Sequence, residues 1–162
     1  MTIRFSEQQK FIQGWIGFIL IGVFLFSFYG IYQQIIVGVP FGQQPMSNTG
    51  LTLFSLLMLG VTALFSILQL NTEIDDHEIR IVFVPLIKRR IPWDEIKRIE
   101  VVDYGFVGGW GIRPWTRYGT VYNTRGRNGV AIELNNGKKC LIGTQKVSEL
   151  TAAIADRAET AL

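Results

Sequence analysis

The only histidine, His77, stands in Asp75-Asp76-His77-Glu78, an imidazole among three carboxylates. These are divalent-cation ligand types, but no second cluster in the sequence would complete a coordination sphere. The competing reading is a tight, solvated β-turn between two strands, and the string favours it. The Ser and Thr residues have no His–Asp partnership from which to build a hydrolase triad. Gly105, Gly108, Gly109 and Gly111 make a poor phosphate loop, because no Lys-Ser/Thr follows and the context is strand–loop–strand. The single Cys140 falls in Lys138-Lys139-Cys140-Leu141-Ile142-Gly143. It reads as a buried thiol on a strand, with no histidine near in sequence to activate it. One cysteine makes no internal disulfide, in keeping with a reducing cytoplasm. The expectation is a protein without catalysis, cofactor or metal.

The elements that position these residues divide sharply by charge. From Phe11 to Thr72, 62 consecutive residues include no Asp, Glu, Lys, Arg or His. A water-soluble surface needs charge, whereas a bilayer penalises it at mid-depth. Two membrane spans are expected, at about 14–37 and 51–70, each near the roughly 20 residues that cross a ~30 Å hydrocarbon core. Gly38 to Gly50, with its prolines and glycines, reads as the turn between them. The apolar run exceeds the ~7–15 residues of a signal-peptide core and no clear small-residue cleavage site follows, so a retained anchor is expected. Arg4 and Lys10 precede the first span, Lys88-Arg89-Arg90 follows the second, and the connection has neither Lys nor Arg. The positive-inside rule then puts both termini in the cytoplasm. With no ionisable side chain inside, the spans read as an anchor rather than a solute path.

Residues 73–162 suffice for one small domain. Ile79–Val84 alternates as a strand, Pro85-Leu86 breaks it, and Lys88–Ile91 returns. Pro92-Trp93-Asp94-Glu95 reads as a helical turn. Ile96–Tyr104 is the next strand, and Gly105 to about Arg117 reads as a long Gly- and Trp-rich loop. Gly119–Asn123, Gly129–Leu134 and Lys138–Ile142 supply further strands, the last two joined by Asn135-Asn136-Gly137, which tolerate positive φ. Val147, Leu150, Ile154 and Ala158 share one side of a closing helix, with Ser148 as its cap. The expected class is α+β. Residues 1–72 form an N-terminal tail and transmembrane α-hairpin; residues 73–162 form a small cytoplasmic antiparallel β-barrel or bent sandwich with a C-terminal capping helix.

Several strings carry a resemblance: Ile91-Pro92-Trp93-Asp94-Glu95-Ile96, Gly108-Gly109-Trp110-Gly111-Ile112-Arg113, Tyr122-Asn123 with Gly126 and Gly129-Val130, and Leu141-Ile142-Gly143-Thr144-Gln145. With the strand-then-helix order, the chain resembles the bacterial pleckstrin-homology-like domains fused to a pair of transmembrane helices. The resemblance spans the hairpin and the whole soluble domain. It implies a pleckstrin-homology-like fold on a bacterial inner membrane, in a multi-pass protein. Phosphoinositide-binding eukaryotic relatives of that fold carry basic residues around the first strand pair. Here that turn is acidic, at Asp75, Asp76 and Glu78.

From Arg80 to Lys146 there are 13 Lys or Arg against five acids, and none of those acids lies between Tyr104 and Gly129. That acid-free segment carries Arg113, Arg117, Arg125 and Arg127 among Phe106, Trp110, Trp115, Tyr118 and Tyr122. Basic residues are drawn to an anionic leaflet, and tryptophans favour the headgroup zone. The segment is therefore the candidate contact for an anionic surface or partner, with Lys88, Arg89 and Arg90 a secondary basic cluster. Trp110 and Arg113 could instead fold back to close the barrel end, and the other arginines could simply be solvated. Stacking on nucleic acid does not suit a membrane-tethered chain. The expected function is a membrane-anchored interaction or scaffolding module that binds a protein partner, another copy of itself or anionic lipid headgroups. The alternative is an accessory subunit of a membrane transport or envelope complex.

Overall fold

The computed structural model describes residues 2–12 and 14–158. The chain divides into two compact units, Ile12–Ile67 and the combination of Met1–Phe11 with Leu68–Leu162.

The first unit is a helical hairpin. Helix α1 (Gly14–Ile31) runs on into a π-helical turn, Tyr32–Ile36, and helix α2 (Asn48–Ile67) returns. Both Gly14–Ile36 and Asn48–Ile67 are long and apolar enough to cross a membrane, and only 11% of each apolar window is buried. A soluble core helix would bury that surface. The second span ends at Ile67, short of the expected 70, because Leu68 and Leu70 are buried in the other unit. Absence of charge does not distinguish an apolar helix from the apolar start of a strand.

The other unit holds nine strands among the described residues. Strands β1 (Ile3–Lys10), β2 (Gln69–Asp75), β3 (Glu78–Val84) and β4 (Ile87–Pro92) form a four-stranded sheet in that order. Strands β5 (Ile96–Asp103), β6 (Gly111–Thr116), β7 (Gly119–Asn123), β8 (Asn128–Leu134) and β9 (Lys139–Gly143) form a second sheet ordered β5-β8-β9-β7-β6. All pairs are antiparallel except β7–β9. Of the expected barrel or bent sandwich, the described residues form no closed barrel but two separate sheets. A single 3-10 turn, Trp93–Glu95, carries the chain from β4 to β5, which belong to different sheets. Burial alternates along β2 and β3, with Leu70, Thr72 and Ile74 beside Ile79, Ile81 and Phe83. Helix α3 (Val147–Ala158) contacts β5 and β1 and buries Leu150, Ala153 and Ile154. Ser148 lies within this helix rather than capping it, since the Leu150 N–H already bonds the Lys146 carbonyl. The side chain of Ala158 and residues 159–162 lie outside the described residues.

Two strands were not expected. Residues 3–10, read as a tail of the hairpin, are β1 and pair with β2 along its length. Only Phe5 of β1 is a buried hydrophobe; its other inward residues, Glu7 and Gln9, are polar. They reach the second sheet instead. Thr144 Oγ1 and the Gln145 N–H donate to Glu7, Gln9 Nε2 donates to the Gly143 carbonyl, and Thr124 Oγ1 donates to Gln9 Oε1. Hydrogen bonding therefore replaces apolar burial on this strand, leaving no hydrophobic alternation to detect. Strand β6 occupies the expected long loop, because Gly111, Pro114 and the bulge beside it mask its pattern.

The turn between β2 and β3 is built on Asp75, which is fully buried. Its Oδ1 accepts the N–H groups of His77 (2.8 Å) and Glu78 (2.9 Å), and its Oδ2 meets Arg80 Nη2 at 3.1 Å. Trp93 Nε1 donates to the Asp75 carbonyl, and Arg157 of α3 lies over the Trp93 ring. The expected turn is present, but its leading acid is buried rather than solvated. The two N–H groups hold the Asp75 carboxyl below its ordinary 3.8, against the opposing effect of burial, and Arg80 adds its charge. Asp75→Ala is expected to cost about 1–3 kcal/mol, since it removes a charged, buried acceptor of two backbone N–H bonds. Because the folded pKa is the lower one, this stabilisation is complete above the unfolded value and fades as pH falls through the folded one. The melting-temperature gap between wild type and Asp75→Ala should accordingly narrow as pH drops below about 3.8.

Candidate functional site

The acid-free segment is organised around Tyr104. Its ring joins Val121 and Leu141 in a buried cluster against which Val102, Val107, Tyr118 and Ala131 pack. Three of the bonds of Tyr104 fix neighbouring segments. The hydroxyl donates to the Gly126 carbonyl (3.3 Å) and accepts from Asn123 Nδ2 (3.2 Å), and the backbone N–H donates to the Arg127 carbonyl (2.8 Å). Asn123 Oδ1 in turn accepts the Gly111 N–H that begins β6. One buried phenol thus ties together the 105–110 loop, β6 and the 124–127 loop. Burial pushes its pKa up, so the neutral hydroxyl is the form that donates.

On this base the β6–β7 hairpin carries the exposed chemistry. The register slips between Arg113 and Thr116, producing a bulge at Pro114-Trp115. Trp115 sits there at φ 59 with 96% of its surface exposed. A non-glycine residue held in the left-handed region marks strain that the surrounding structure imposes. Phe106, 81% exposed, belongs to the same cleft, an opening of about 740 Å³ also lined by Val107, Arg113, Trp115 and Arg117. Arg117 donates to the Tyr104 carbonyl (3.3 Å) and lies 4.7 Å over the Tyr118 ring. Arg113 lies against Gly109, whose φ of +128 and missing Cβ leave room for the guanidinium. Neither Arg113 nor Arg117 has a carboxylate partner among the described residues. Pro114 also removes a backbone donor from this edge strand, which discourages strand addition.

The structure therefore brings Arg113, Arg117 and Trp115 together and leaves the other candidates apart. Arg125 and Arg127 occupy the 124–127 loop, where Arg127 approaches Asp103 at 3.5 Å and the Arg125 carbonyl accepts from Gln145. Trp110 is partly exposed and does not line the cleft. Lys88, Arg89 and Arg90 lie on β4 of the other sheet, lining a separate cleft of about 320 Å³ with Asn71, Glu73 and Arg80. The remaining chemical candidates have structural duties. Asp75 organises its turn and Asp76 pairs with Arg4 at 2.7 Å. Burial raises the Cys140 pKa, which disfavours the thiolate. The pinning role of Tyr104 and Asn123 was missed, because in sequence both are ordinary strand ends.

Trp115→Gly removes the side-chain penalty at positive φ and is expected to stabilise the sheet unit by about 1 kcal/mol. Thermal melting of the full-length protein in detergent, followed by near-ultraviolet circular dichroism, checks this.

No family model, no curated protein and no solved structure matches this chain.

Proposed function

We propose that the chain is a membrane-anchored, non-catalytic interaction module whose Arg113–Arg117 surface docks on anionic lipid headgroups. The observation that carries the reading is Trp115, strained and 96% exposed between two arginines that have no carboxylate partner among the described residues. Strain at an exposed aromatic suggests selection for contact rather than stability. Phe106 supplies a second exposed ring beside the same cleft. Rings and guanidinium groups side by side match the headgroup zone, where aromatics lodge and cations are attracted.

The membrane half of the proposal rests on the two apolar helices and their exposed surfaces. The chain leaves the sheet unit at Phe11 and returns at Leu68, and the Phe11 N–H bonds the Leu68 carbonyl at 3.0 Å. That adjacency favours an even number of crossings, with both termini on one side. The basic flanks favour the cytoplasmic side of a bacterial inner membrane. Two sheets followed by a packed helix are consistent with the pleckstrin-homology-like resemblance, which stands as part of this proposal.

The test uses full-length protein in nanodiscs of phosphatidylcholine, with or without phosphatidylglycerol, containing brominated lipid. The quenching lost on Trp115→Phe reports that ring alone, apart from Trp15, Trp93 and Trp110. It should be larger in anionic discs and decline with added salt. Each arginine contributes about 1 kcal/mol near such a surface, so Arg113→Gln with Arg117→Gln should shift docking about 30-fold. Equal quenching in neutral and anionic discs, unchanged by the double substitution, would reject lipid docking.

A further inference from the structure

The hairpin unit contains a cavity that the anchoring role does not use. Its walls come from α1, α2 and the connection between them. Phe26, Phe41, Met46, Leu51 and Phe54 supply the apolar lining of about 410 Å³, with Ser27 and Gln34 among them. An apolar cavity of about 150 Å³ already stays dry and admits benzene, and ligand pockets begin near 300 Å³.

The cavity is held open by specific bonds. Gln34 donates from Nε2 to the Met46 carbonyl (2.7 Å) and to Asn48 Oδ1 (2.8 Å), and its Oε1 accepts the Phe41 N–H (3.2 Å). These bonds fix the connection on both sides. The Phe41 ring lies over Gly30, where a Cβ would stand 2.8 Å from the ring, and meets the Phe26 ring edge-on at 5.1 Å. Ser27 Oγ bonds the Val23 carbonyl, so its hydroxyl is occupied within its own helix. Gln44 is the remaining polar lining residue, and it is exposed in the connection. The lining therefore offers water little to bond. The pocket is open on one side, so its apolar walls gain dispersion contacts only from an apolar group that enters there.

We propose that this cavity holds one acyl chain of a bilayer lipid. This rests on the membrane reading above: of the lining residues themselves, Phe26 is 64% and Phe54 39% exposed on the apolar faces of the two helices, so the pocket opens onto the side where hydrocarbon would lie. The uncharged stretch places no ionisable group near the pocket. The π-helical turn at Tyr32–Ile36 carries Gln34 itself. Such turns occur often at functional sites, and this one supports the residue that keeps the pocket formed.

The experiment uses full-length protein in vesicles of phosphatidylcholine in which a fraction of lipid bears a diazirine on one acyl chain. After illumination, the labelled residues are mapped by mass spectrometry. Label should be enriched at Phe26, Phe41, Met46 and Phe54 over the lipid-facing Phe18 and Leu57. Leu51→Trp and, independently, Met46→Trp should fill the pocket and reduce labelling there to the Phe18 level, while Leu51→Ile preserves it. Helical circular dichroism identifies a variant that has not folded. Even labelling along all exposed helix faces, or a pocket left unlabelled, would overturn the inference. Release of the protein by alkaline carbonate would instead reject the membrane reading on which it rests.

Discussion

The backbone hydrogen bond from Phe11 to Leu68 closes the 56-residue hairpin unit at its base. The strand pair β1–β2 extends that closure residue by residue, from Lys10–Gln69 to Phe5–Ile74. The first sheet depends on it, because β2 pairs with β1 on one side and β3 on the other. A segment of nearly sixty residues lies between the two partners, so their pairing carries the closure entropy of that whole loop.

The polar inner face of β1 extends the same constraint across the unit. Glu7 and Gln9 are buried, yet each finds partners on the second sheet or the segments after β7 and β9. Hydrogen bonds of this kind contribute modestly when made but are expensive when one partner is lost. They favour one relative placement of the two sheets over sliding alternatives. Asp75 acts similarly at the opposite end, joining the β2–β3 turn to Trp93 and, through Arg157, to α3. The core is thus apolar along β2, β3, β8 and β9, with polar fastenings at its margins.

Those fastenings leave the β6–β7 hairpin free to carry exposed, strained residues. Tyr104 and Asn123 secure its base, while the bulge turns Trp115 outward beside Arg113 and Arg117. A rigid base lets an unfavourable backbone conformation persist. The two basic clusters fall on different sheets because the chain crosses from one to the other at Trp93–Glu95.

The sequence by itself marked out two charge-free apolar helices and a strand-rich remainder, because exposed apolar faces and a water-facing surface place opposite demands on side-chain charge. It also determined most strands from β3 onward, whose apolar alternation is a local property. Strand β1 was illegible, since Glu7 and Gln9 are buried for hydrogen bonds made more than a hundred residues away. Strand β6 was hidden by glycine, proline and a bulge. The candidate surface was legible as composition, an acid-free run of arginines and aromatics, but not as a site. Only tertiary structure decided that Arg113, Arg117, Trp115 and Phe106 share one cleft while Arg125, Arg127 and the β4 cluster do not. The reason is physical: strand order and register, which no local pattern encodes, set which side chains become neighbours.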